Sequence, residues 1–201
     1  MEFTFTEKSI TLDKELNSLD RFTISFCKKL DKHKVKYCLV SGYVAIVFGR
    51  SRATEDVDML VEKMPFEQFA ELWKEIRTEL DCMNAFSEKE AYEMLCDGCG
   101  LRFHEFNQPL PNMEFKFIKT ITDKYTVENS LELRLNKHIL KISPLEIQIA
   151  FKLYLGSEKD IEDARHLYKI FKDNLNMSKL SNSFVLLKVP HEKVDLLERI
   201  N

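Results

Sequence analysis

The stretch that most constrains this chain is EDVDMLVE, residues 55–62, where Asp56 and Asp58 interrupt the apolar run of Val57, Met59, Leu60 and Val61. In a strand, residues i and i+2 point to the same face. The two carboxylates therefore share one side, while Val57 and Met59 turn to the other and pack. Packing alone gives no reason for such a pair, because neighbouring like charges repel unless a cation lies between them. Hard oxygen ligands at this spacing suit Mg²⁺, which also draws oxygens from a bound polyphosphate. The competing reading is that Asp56 caps the start of the strand and Asp58 pairs with a surface lysine.

The residues upstream form an ordered set of parts. KYCLV (36–40) reads as a short strand ending at Ser41-Gly42, and YVAIVF (43–48) as a short buried helix closed by Gly49. The strand DVDMLVE (56–62) follows. Backbone N–H groups at Ser41, Gly42 and Tyr43 would then lie at a helix N-terminus, whose dipole and unpaired donors favour phosphate oxygens. Gly42 lets a phosphate approach the backbone. Arg50 and Arg52 are available to phosphate or to an aspartate, and Thr54 is placed to brace the turn.

The rest of the chain reads as one α+β domain, with 1–142 as a core and 143–201 as a helical C-terminal part. Leu16, Leu19, Phe22, Phe26 and Leu30 mark an amphipathic helix over 12–33. Pro65 opens a helix to about Leu80 with Phe66, Phe69, Trp73 and Ile76 on one face. A polar helix at 87–95 leads to strands 101–106 and 113–118, separated by a loop holding Pro109 and Pro111. A hairpin over 131–142 turns at Asn136-Lys137. Ser143-Pro144-Leu145-Glu146 reads as a capping box opening a helix to Leu155. Ser157 caps a helix over 158–172, and the tail, 173–201, reads as short helices.

Composition excludes several classes. A net charge of −3 gives no global pull on nucleic acid. No apolar run approaches the ~20 residues that span a bilayer, and the polar, acidic start carries no secretory pattern. Five cysteines, an odd and sparse set, point to reduced thiols in a cytoplasmic protein. Cys96-Asp-Gly-Cys99 with Cys82 and His104 is a possible tetrahedral zinc set, the basis of a zinc-stabilised nucleic-acid adaptor. The simpler reading is a glycine-containing turn.

SGYVAIVFGRSRATEDVDMLV resembles the signature of the DNA polymerase β-like nucleotidyltransferase superfamily. It is most similar to the pattern of the AbiEii-toxin-like branch, through Gly42, Ala45, Gly49, Arg52, Thr54, Asp56 and Asp58. It departs in carrying Ser41-Gly42 where that branch has two glycines. The resemblance implies a nucleotidyltransferase fold, with a small mixed sheet flanked by helices. It also implies Mg²⁺-dependent transfer of a nucleoside monophosphate from an NTP to an acceptor hydroxyl on RNA, protein or a small molecule. By analogy it further implies a toxin role with an antitoxin partner.

In the superfamily a third acid on a neighbouring strand activates the attacking hydroxyl and shares one of two metal ions. Glu114 in NMEFKFIK is the candidate, with Glu105 behind it; its alternative is a Glu-Lys pair on a solvated edge strand. The segment 143–171 is similar to the helical part of the branch, through Lys152, Lys159, Asp160 and Asp163. This implies that Lys152 and Asp160, with Ser41, Gly42, Arg52 and Thr54, bind the nucleotide, and that Asp56, Asp58 and Glu114 hold the metal. A nucleotide- or partner-binding protein of the same fold that has lost catalysis is the alternative, permitted by Ser41-Gly42 and by glutamate at 114.

Overall fold

The computed structural model describes residues 2–198. Its centre is a nine-stranded mixed sheet in the order β1-β2-β8-β9-β3-β4-β7-β6-β5. The strands are β1 (Phe3–Phe5), β2 (Ser9–Leu12), β3 (Tyr37–Val40), β4 (Asp56–Val61), β5 (Leu80–Cys82), β6 (Leu101–Glu105), β7 (Gln108–Phe117), β8 (Leu131–Leu135) and β9 (His138–Ile142). The helices are α1 (Ser18–Lys32), α2 (Gly42–Val47), α3 (Phe66–Ile76), α4 (Glu88–Cys96), α5 (Ile121–Glu128), α6 (Leu145–Leu155), α7 (Glu158–Phe171), α8 (Met177–Leu187) and α9 (His191–Val194), followed by a 3₁₀ turn, Asp195–Leu197. The expected α+β architecture is present.

The alternation in β4 decides which way the sheet faces. Val57, Met59 and Val61 are fully buried, whereas Asp56, Asp58 and Leu60 stay half-exposed on the other side. β4 lies between β3, antiparallel, and β7, parallel. On the packed face, Phe69 and Trp73 of α3 meet Phe103, Phe115 and Phe117 at centroid separations of 5.6–6.5 Å. Aromatic rings in tilted and edge contacts of this kind supply much of a core's apolar burial.

Several local expectations are corrected. The first helix begins at Ser18, because Asn17 and Asp20 close a capping box there, and Ser9–Leu12 pairs with β8 instead. α3 stops at Ile76, and Leu80 opens β5. The expected loop around Pro109 and Pro111 is strand: β7 starts at Gln108 after a turn at Phe106-Asn107, where Asn107 has φ 60°. Ser143 does not cap α6; Pro144 takes that position without a side-chain bond, and the Ser143 hydroxyl donates to Gln148 instead. Cys96 and Cys99 are exposed, Cys82 is buried, and all five cysteines are free. No three His, Cys, Asp or Glu side chains gather as a metal cage among the described residues, so the Cys82–Cys96–Cys99–His104 set does not assemble.

Candidate active site

Register brings the acids together. Asp58 of β4 lies directly beside Glu114 of β7, and Asp56 beside Asn112. Asp56, Asp58, Glu114 and Lys116 occupy the polar side of adjacent strands; the three carboxylates share that face but are not gathered into a three-ligand metal cage. β7 is interior to the sheet, which removes the edge-strand reading of Glu114. Glu105 lies at the far end of β6, against Leu80 and Gln108.

Lys116 lies among the acids. Its Nζ is 3.0 Å from Glu114 Oε1 and 3.5 Å from Asp58 Oδ1. Arg102 of β6, in register with Glu114, brings Nη2 to 3.8 Å from the same Oε1. The contact between Asp58 and a lysine, one of the two sequence readings, is therefore made, but inside an acid cluster. Burial raises the Asp58 carboxyl to about 6, with Lys116 opposing and Glu114 and Asp56 adding to the rise. Burial acts the same way on Glu114, but the Lys116 hydrogen bond and charge outweigh it and hold that carboxyl below its ordinary range. The two neighbouring carboxyls are thus shifted in opposite directions, Asp58 up and Glu114 down. Thr54 donates its hydroxyl to the Asp56 carbonyl at 3.0 Å and lies 3.4 Å from Asp56 Oδ1, fixing the start of β4.

Asp58 and Glu114 open onto a cleft of about 950 Å³, which Asp56 does not line. Ser41, Lys116, Lys119, Thr122 and Thr126 also line it, together with Phe151, Tyr154 and Leu155 of α6 and Leu186–Lys188 at the end of α8.

The turn between β3 and α2 is built differently from the sequence expectation. Ser41 has φ 60° and ψ −130°, a conformation that type II′ turns give to glycine. Its hydroxyl makes no capping bond. Gln148 holds the turn from both sides: Ser41 N–H donates to Gln148 Oε1 at 3.1 Å, and Gln148 Nε2 donates to the Ser41 carbonyl at 2.8 Å. The Ser41 N–H is thus committed within the protein. A Cβ at Gly42 would come within 2.5 Å of Arg52 Nη2, so this glycine makes room for an arginine.

Arg52, Lys152 and Asp160, expected at the nucleotide, are brought together in a buried network behind that turn. Arg52 Nε and Nη2 donate to the two oxygens of Asp163 at 2.9 and 2.8 Å. Lys152, 1% exposed, places Nζ 2.6 Å from Asp160 Oδ1 and 3.1 Å from Asp163 Oδ2. The Ser157 hydroxyl donates to the other Asp160 oxygen at 2.6 Å. Burial pushes Asp160 up, but the Lys152 and Ser157 bonds prevail and hold it low. Arg50 Nε adds a third cation 3.8 Å from Asp163 Oδ1, and carboxylates paired with cations and hydrogen-bonded in this way are the arrangement that makes buried charge tolerable. It ties α7 and α6 to the segment between α2 and β4.

Gln148 was missed from sequence, and Lys116 was read only as the partner in a Glu-Lys pair, which the structure makes at 3.0 Å. Each carried a signal. Gln148 is a lone amide in the apolar run LEIQIAF, four residues before Lys152 and so on the same helix face. Lys116 shares the strand face of Glu114 by simple alternation.

No family model matches the chain, and no curated protein matches it. Solved structures do. It is similar to an antigenic nucleotidyltransferase-like protein from Paracoccidioides brasiliensis, at 14% identity and TM-score 0.55, over 89% of this chain and 91% of that one. It is also similar to ANT(2'')-Ia in complex with adenylyl-2''-tobramycin, at 10% identity and TM-score 0.53, over 86% and 98%. The solution structure of the antibiotic-resistance factor ANT(2'')-Ia matches at 9% identity and TM-score 0.51, over 88% and 96%. Likeness at these identities speaks for the fold, and on it this chain has the fold of the nucleotidyltransferase-like proteins.

Proposed function

We propose that this protein transfers a nucleoside monophosphate from an NTP to an acceptor hydroxyl, with Mg²⁺. The observation that carries the reading is the in-register pair Asp58–Glu114, which lines a large cleft, with Asp56 on the same strand face as Asp58. Three acids crowded on one face of interior strands have no packing role there, and the fold is shared with nucleotidyltransferase-like proteins.

The donor set fits the metal. Mg²⁺ takes hard oxygens and is commonly held by one or two carboxylates plus substrate phosphates and water rather than by an all-protein cage. Asp56 and Asp58 would supply the carboxylates, joined by Glu114, for the two ions the superfamily resemblance implies. When bound, the ions supply charge neutralisation at the attacking and departing oxygens. The chain's own groups do the rest. Glu114, whose carboxyl Lys116 holds below its ordinary range, would accept the proton of the acceptor hydroxyl. Ser41, on a turn that Gln148 clamps at the edge of the cleft, would contact the phosphates. Arg52, Lys152, Asp160 and Asp163 brace Gly42 and hold the helical segment from 143 onward against the core. The apolar wall of Phe151, Tyr154 and Leu186 would receive the base or the acceptor and exclude water.

The test is transfer of label. The protein is incubated with each α-³²P-labelled NTP and Mg²⁺ in the presence of RNA, cell protein or a panel of small hydroxyl compounds. Label on an acceptor, dependent on Asp58, supports the reading, and label on none in any class removes it. A second reading, nucleotide or partner binding without catalysis, is favoured by one observation, the Lys116 ammonium lodged between the acids. It predicts NTP binding with no transfer. The AbiEii-like pattern extends the proposal to a toxin with an antitoxin partner, which growth arrest on expression, lost in Asp58→Asn, would support.

A further inference from the structure

Lys116 is not a lysine extended into solvent. Its stem runs flat over the backbone of Gly100, where a Cβ would come within 3.0 and 3.1 Å of Lys116 Cγ and Cε and 3.2 Å of Glu114 Cγ. The missing side chain at 100 is what lets the ammonium fold back onto the acids. It then touches carboxylates from two different strands, Glu114 at 3.0 Å and Asp58 at 3.5 Å. Arg102, the other cation near Glu114, is farther, at 3.8 Å, and does not reach Asp58. The Lys116 side chain remains 38% exposed on a flexible four-carbon stem, so it can leave without disturbing the sheet. It also lines the same cleft as Lys119, so a displaced ammonium stays tethered where a polyphosphate would lie.

We propose that Lys116 is a built-in counter-ion that occupies the acid cluster until a metal–nucleotide complex displaces it. It thereby weakens binding of free divalent cation and couples metal binding to nucleotide binding. This rests on the assignment of Asp56, Asp58 and Glu114 as a metal site. The ammonium lies 3.0 Å from Glu114 Oε1 and 3.5 Å from Asp58 Oδ1 and repels any further cation there, so a bare Mg²⁺ or Mn²⁺ must displace it or bind against its charge, with only water to receive it. A metal bound to a triphosphate brings the anion that takes the ammonium over, so the same eviction is then nearly free of cost. Lys116 is in this sense a positioning residue, acting on metal affinity through Asp58 and Glu114.

The experiment is Mn²⁺ titration, followed by calorimetry and by electron paramagnetic resonance of free Mn²⁺. It uses the intact wild type, Lys116→Met, Lys116→Arg and Asp58→Asn, with and without a non-hydrolysable NTP analogue. Without nucleotide, Lys116→Met should bind Mn²⁺ at least about tenfold more tightly than wild type, as expected when a full positive charge within 4 Å of two ligands is removed. Lys116→Arg should stay within about threefold of wild type. The analogue should tighten Mn²⁺ binding strongly in wild type and much less in Lys116→Met. Mn²⁺ should also raise the melting temperature of Lys116→Met more than that of wild type, which a merely structural lysine would not produce. If Lys116→Met does not fold, Lys116→Gln carries the same expectation. Wild type and Lys116→Met binding Mn²⁺ equally, through Asp58, would overturn the counter-ion role and leave the metal site standing. Binding by neither, with or without the analogue, would overturn both.

Discussion

Replacing Asp58 with asparagine should make the protein more stable at neutral pH while ending transfer. The Asp58 side chain is 22% exposed, and its carboxyl is raised from 3.8 to about 6 by burial and by the two neighbouring acids, against the pull of Lys116. A folded-state value above the unfolded one means that ionisation favours the unfolded chain. Stability is therefore full below pH 3.8, declines as pH rises through about 6, and is flat beyond. A difference of about two units corresponds to about 3 kcal/mol at 1.36 kcal/mol per unit. Glu114 has the opposite sign: its lowered value adds stability as pH rises towards 4.5, so the Asp58 decline is cleanest between about pH 4.5 and 6.5. Asparagine resembles the neutral acid at every pH. Urea denaturation in metal-free buffer should give equal stabilities near pH 4 and an advantage of about 2–3 kcal/mol for Asp58→Asn at pH 7.5. Parallel curves for the two proteins, or a less stable variant at pH 7.5, would refute the reasoning.

Three other predictions follow from the surroundings of the acids. Gln148→Ala removes both clamps on Ser41 and the acceptor of Ser143; denaturation should report a loss of about 2–4 kcal/mol, with transfer falling further than the unfolded fraction explains. Asp163→Asn leaves Arg52 and Lys152 short of their shared anion and should cost about 3–5 kcal/mol; adding Lys152→Met should restore part of it, and additive losses in the double variant would contradict the network. Ser41→Gly relieves a conformation costing about 1–3 kcal/mol against glycine's extra chain entropy of about 1 kcal/mol, so melting should show it neutral to slightly stabilised, whereas Ser41→Val should be destabilised.

The strand–turn–helix–strand order from Tyr37 to Val61 was legible because its signals are local: an alternating strand, a turn glycine and a short apolar helix. The N-terminal strands were not. Phe3–Phe5 and Ser9–Leu12 are too short for a period to declare itself, and Leu12 and Leu16 continue the spacing of α1, so only the Asn17–Asp20 capping box marks the true start. Leu80 misled in the same manner, lying four residues beyond Ile76 yet serving the sheet. Pro109 and Pro111 suggested loop because proline cannot donate to a ladder. The strand tolerates them before its regular pairing with β4 begins at Asn112. In the site, the acids and Lys116 could be read from strand period, but the partners that come from distant segments could not. That Arg52 meets Asp163 across 111 residues, and that Gln148 reaches Ser41 across 107, are consequences of tertiary packing that no local pattern announces.

The central claim is that Asp56 and Asp58, with Glu114, hold a divalent cation beneath a triphosphate. Crystals grown with Mn²⁺ and a non-hydrolysable NTP analogue, measured at the manganese absorption edge, test it directly. The account predicts an anomalous peak within coordinating distance of the Asp56 and Asp58 carboxylates, phosphates in the cleft beside Ser41, and Lys116 swung away from Asp58. Nucleotide bound elsewhere, or a filled cleft with no manganese at those acids and Lys116 unmoved between them, would contradict it.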